Sequence, residues 1–235
     1  MSGLFQPAAA AASALIKAFA AGKNEKSRMI TEEEAASFLN GLLGIFSSNE
    51  GFREKKAALD SLFSANSPFS GLEEYLFDLL MLHFIAADAG KPDENYLESE
   101  EWTKIEDETA DRGSEWLNLL IYIGEVKEEK RKPDLQDFLD EFLLVEDELY
   151  QDEFFIYEPV ILHAPLAEAS MEAIVEAGKK IDADELKEIF IPLMAYFNKT
   201  KRPEEKCSEL GSHDFNAPLN VALLSATYAF EAALG

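Results

Sequence analysis

Thr31 with Glu34, Ser70 with Glu73, and Asp182 with Glu185 each set a side-chain oxygen three residues ahead of a carboxylate, and apolar residues follow at helical spacing. An N-cap oxygen and an answering carboxylate satisfy amide donors that the first helical turn leaves open, so each pair predicts a helix start. The stripes behind them run through Phe38, Leu39, Leu42, Leu43 and Phe46; Leu72, Leu76, Leu79, Leu80 and Phe84; and Leu186, Ile189, Phe190, Leu193 and Phe197. Gly90 and Pro92 predict the stop of the second helix. A chain patterned this way is all-α, a multi-helix bundle or orthogonal helical array of about eight to ten helices with little or no strand.

Between Ser99 and Glu129 the apolar positions lie near one helical face with Gly113 as a kink or break, which fits one long helix or two collinear ones. Asp134 opens another helix with the stripe Leu135, Phe138, Leu139, Phe142, Leu143 and Leu149. The run Phe154 to Leu162 reads as a short buried strand or as an aromatic turn before a helix starting at Pro159, and the helix is favoured because no partner strand is visible. Lys199 to Phe215 reads as the longest loop. The charged stretch 127–133 reads as a connector within a single helical domain over 1–235, with two lobes meeting there.

Pro7 to Ala21 and Ala217 to Leu234 are Ala-rich and nearly uncharged. Small side chains permit close helix approach, so both are expected in the core of the bundle. A homodimer interface through the same two helices is the sharper reading, because obligate interfaces resemble a core cut in half.

Charge separates the remaining function classes. The 21 basic residues stand against 46 acidic ones, for a net charge of −25. Nucleic-acid affinity needs the opposite balance, so direct DNA or RNA binding is not expected. The single cysteine, Cys207, leaves no intramolecular disulfide and no cysteine-built zinc site, which suits a reducing compartment. The apolar segment Leu4 to Ala21 lacks a preceding basic region and contains Lys17, unlike a signal peptide or spanning helix. A cytoplasmic location without membrane association is the expectation.

No phosphate-binding, dinucleotide-binding, nucleophile-elbow or H-E-x-x-H motif occurs. The residues three before His83, His163 and His213 are Leu80, Val160 and Leu210, so the Glu-x-x-His pairs of helical di-iron sites are absent. His213-Asp214 would supply the middle ligands of a His, His-Asp, Asp phosphohydrolase centre, but no Asp follows position 214. Asp88, Asp93 and Glu98 gather oxygen ligands around a turn without EF-hand spacing, and read as solvated acids. Neither a catalytic set, nor a metal, nor a cofactor is expected.

From Pro133 to Gly178 the chain carries thirteen Asp and Glu residues and no Lys or Arg. Within it Glu141, Glu146, Asp147, Glu148, Asp152, Glu153 and Glu158 alternate with Tyr150, Phe154, Phe155 and Tyr157. Dense negative charge raises the association rate of a basic partner, and aromatics beside it supply anchors. The expected function is therefore a non-catalytic interaction or regulatory protein that binds a basic protein partner through these eleven residues. A helical metal-dependent enzyme with carboxylate ligands from separate helices is the alternative, since such a site leaves no local motif.

Overall fold

The computed structural model describes residues 4–22, 29–88, 100–109, 112–142, 150–182, 186–213 and 216–235. Among these the chain is all-helical and contains no strand. Twelve α-helices run in order: α1 Gln6–Ala21, α2 Glu32–Ser47, α3 Phe52–Ala65, α4 Glu73–Asp88, α5 Glu100–Thr109, α6 Glu115–Glu128, α7 Leu135–Phe142, α8 Tyr150–Leu162, α9 Met171–Gly178, α10 Phe190–Phe197, α11 Pro203–His213 and α12 Ala217–Ala233. The count exceeds the expected eight to ten because several helices span only two or three turns, below the length at which periodicity is easily seen.

The capping box at Thr31 forms as expected: its hydroxyl accepts from the Glu34 N–H at 3.2 Å, and the Glu34 carboxylate accepts from the Thr31 N–H at 2.9 Å. Ser70 differs from its expected role, since it lies inside a 3-10 turn, Ser67–Leu72, that runs directly into α4. The third start also moves. Glu185 lies outside the described residues, and the α-helix begins only at Phe190, after a turn in which the Ile189 and Phe190 N–H groups both donate to the Leu186 carbonyl. Leu186 and Ile189 are buried nonetheless, so the apolar stripe holds where the helix does not. The Gly90–Pro92 stop lies outside the described residues.

Of the two readings for 99–129, two helices form, and Ser114 caps the second by accepting from the Trp116 N–H at 3.3 Å. Asp134 caps α7 through the Gln136 N–H at 3.0 Å. The run 154–162 is helical, but α8 starts at Tyr150 and carries Pro159 within it instead of beginning there. The predicted loop 199–215 is largely α11. Pro203 occupies its first turn with Glu204 and Glu205, which favour the positive end of the helix dipole, and only Lys206 and Leu210 are buried. Two buried positions on an otherwise polar segment give almost no apolar stripe.

α1 and α12 lie antiparallel against each other: Phe5 meets Phe230 at 6.3 Å between ring centroids, while at the opposite end Gly22 lies beside Pro218. A Cβ on Gly22 would stand 2.5 Å from the Pro218 Cβ, so the approach requires glycine. Ala8, Ala11, Ala12 and Leu15 on α1, and Ala222, Leu223 and Ala226 on α12, are fully buried. Around this pair, α1 touches α2 and α4, and α12 touches α6, α10 and α11. The Trp116 indole N–H donates to the Thr227 hydroxyl at 2.9 Å, tying α6 to α12 inside the core. Every residue of α10 is buried. The buried apolar side chains from Ala8 to Phe230 form one connected cluster.

The stretch 127–133 is a tight turn. Lys130 has φ of 57°, the Arg131 N–H donates to the Val126 carbonyl at 2.8 Å, and the Lys130 N–H donates to the Lys127 carbonyl at 3.1 Å. That is a Schellman closure with lysine in the left-handed position usually held by glycine. The Lys199 ammonium pairs with Asp134 at 3.0 Å, and the Asp134 N–H donates to the Tyr122 hydroxyl at 3.0 Å. Among the described residues, no helix is long and apolar enough to cross a membrane.

Candidate functional site

Of the eleven predicted docking residues, Glu146, Asp147 and Glu148 lie outside the described residues, and Tyr150, Asp152, Glu153 and Phe154 are placed on α8 by backbone alone. The other four divide cleanly. Phe155 is 63% exposed. Tyr157 is fully buried, edge-on to Phe138, and its hydroxyl accepts from the Asn118 amide at 3.2 Å and donates to the Glu115 carboxylate. Its ring is therefore core and not surface. Glu158 on α8 and Glu141 on α7 are half-buried.

Phe155 and Leu162, the latter 68% exposed, are seven residues apart on α8. Seven residues are nearly two turns, so both occupy one outward face, opposite Tyr157 and Val160, which are fully buried. The segment is apolar on both sides, with a core face and a solvent face. Glu158 lies beside that solvent face, while α7 packs against the inner face of α8 through Phe138 on Tyr157 and carries Glu141 toward Glu125 on α6. The Glu141 carboxyl is raised to about 7, because it hydrogen-bonds the Glu125 carboxyl and feels its charge. Two adjoining carboxyls disfavour full ionisation of both.

A second concentration of carboxylates lines a cleft of about 450 Å³ formed by Glu73, Glu74, Tyr75, Arg112 and Glu188. Arg112 bridges Asp60 at 2.9 Å and Glu73 at 3.1 Å, and the Tyr75 hydroxyl donates to Glu188 at 2.7 Å. Burial, then Glu188 and Glu73, raise the Glu74 carboxyl. Among the described residues, no group of three or more His, Cys, Asp or Glu side chains is arranged to hold a metal ion.

His83, His163 and Cys207 make contacts within the fold, while His213 is exposed at the end of α11. His83 is buried, accepts the Phe5 N–H at 3.2 Å through Nδ1 and stacks on Phe46; its Nε2 has no hydrogen-bond partner. Burial, then the nearby Lys55 ammonium, lowers its pKa. His163 Nδ1 lies 2.8 Å from the Pro159 carbonyl. Cys207 sits on α11 and not in a loop, 3.7 Å from the Ser225 hydroxyl, and burial pushes its thiol up, away from nucleophilic thiolate. Asp214 lies outside the described residues.

Compared with protein-family models, curated proteins and solved structures, the chain matches none.

Proposed function

We propose that this is a non-catalytic helical interaction protein, working as a single domain built as a helical bundle, that docks a basic protein partner on the outward face of α8. The observation that carries the reading is the exposure of Phe155 and Leu162 on one face, within the segment that holds thirteen acidic residues and no basic ones. Large apolar side chains at the surface of a rigid helix are anchors for a complementary groove or helix. The carboxylates of this segment, with Glu158 beside the face and Glu141 on α7, select a cationic partner and speed its approach.

Affinity capture with the wild-type protein, a Phe155→Ser/Leu162→Ser variant and a Glu141→Gln/Glu158→Gln variant tests the proposal. A basic protein retained by the wild type should be lost from the first variant and released from the second at lower salt. Identical retention by all three proteins would contradict it.

A further inference from the structure

In a chain of net charge −25, five of the 21 Lys and Arg side chains line one cleft of about 440 Å³ between the α6–α7 turn, the end of α10, and the helices α11 and α12. Lys127, Arg131, Lys132, Lys199 and Lys206 face it, with Glu231 as the one carboxylate in its wall. Three of these cations are paired: Lys127 with Glu231 at 3.0 Å, Lys199 with Asp134 at 3.0 Å, and Arg131 with Asp137. Two are not committed to a carboxylate among the described residues, Lys132 at the exposed rim and Lys206 at the buried end.

Lys206 is only 4% exposed, and its ammonium donates to the Tyr196 carbonyl at 2.9 Å. An ammonium has three donors, so two remain without a protein acceptor among the described residues. The Tyr228 ring lies 5.7 Å from the ammonium, and the Tyr228 hydroxyl is buried with no hydrogen-bond partner. Buried polar groups left open are rare, and the Tyr228 hydroxyl is one, on a residue that lines the same cleft as Lys206. Burial also lowers the Lys206 ammonium to about 8, so a bound anion would stabilise its charged form. Phe197, Pro133 and Pro203 supply an apolar wall beside the donors.

We propose that this cleft binds a small organic phosphate, with the phosphoryl oxygens accepting from Lys206, Lys132 and the Tyr228 hydroxyl and the organic part lying against Phe197 and the prolines. The volume suits a small ligand, and this chemistry is independent of docking on α8. Calorimetric titration with phenyl phosphate and with inorganic phosphate, at fixed ionic strength and with chloride as the control, tests it. Phenyl phosphate should bind more tightly than inorganic phosphate. Lys206→Met, which keeps the buried stem, should weaken it by roughly tenfold to a hundredfold, the range of a hydrogen bond to a charged group. Tyr228→Phe, which removes only the hydroxyl, should weaken it by a smaller factor while leaving circular dichroism unchanged and melting no lower, since the hydroxyl removed is buried without a partner. Equal affinity in wild type and Tyr228→Phe together with Lys206→Met, or heats no larger than those of chloride, would overturn the proposal.

Discussion

Asp78 accepts two hydrogen bonds from Ser114, from its backbone N–H at 3.1 Å and from its hydroxyl at 2.6 Å, and so fastens the middle of α4 to the start of α6. The carboxyl is completely buried, and desolvation raises it to about 8, opposed in part by the Ser114 bonds. A carboxyl raised on folding contributes stability that is fully present below its unfolded value near 4 and is lost as pH rises through about 8. Asp78→Asn keeps an acceptor for the Ser114 N–H and a donor for its hydroxyl oxygen without a charge to bury. Urea unfolding from pH 4 to pH 9 should show the variant gaining on the wild type across that interval, with the gap widest at pH 9. A constant gap would mean that the Asp78 carboxyl is not raised on folding.

Two glycines should respond oppositely to alanine. A Cβ on Gly178, at the end of α9, would stand 2.3 Å from the Ile191 Cγ1, whereas a Cβ on Gly124, inside α6, meets nothing within 4 Å. Gly178→Ala should destabilise by about 1–3 kcal/mol through overpacking. Gly124→Ala should stabilise by about 1 kcal/mol through helix propensity. Denaturant midpoints measure both.

Lys130→Gly should stabilise by about 0.5 kcal/mol. It relieves roughly 1 kcal/mol of left-handed strain in the Schellman turn, part of which returns as unfolded-chain entropy. A loss of stability would show that Lys130 makes a compensating contact.

The Glu125–Glu141 pair predicts a proton signature for docking. A cationic partner brought against Glu141 favours the charged form, so the shared proton should leave, and calorimetry near pH 7 in buffers of different ionisation enthalpy should detect its release. Glu125→Gln should abolish the release.

Helix identity was legible at Thr31 to Phe46, where local propensity and burial favour the same conformation, but the same signals at Ser70 and at Leu186 to Ile189 fall on a 3-10 turn and a turn. α11 was not, since its core face consists of Lys206 and Leu210, and lysine at a core position reads as surface. In the run Phe154 to Leu162 the sequence is apolar all round, so nothing local says that Tyr157 turns inward and Phe155 outward; packing against Phe138 and Asn118 decides it. The α8 neighbourhood stands out in the sequence through its charge alone. The Lys206 cleft was invisible, because its cations come from three separate stretches and its open hydroxyl belongs to an unremarkable tyrosine on α12.

The most direct test of the docking proposal is photocrosslinking from α8 itself, with a benzophenone amino acid replacing Phe155, then Leu162, and then exposed Ser61 on α3 as a control. Docking on α8 predicts that positions 155 and 162 label the same basic protein in native lysate, that rising salt suppresses the adduct, and that position 61 does not form it. Equal labelling from all three positions, or adducts dominated by acidic proteins, would contradict it.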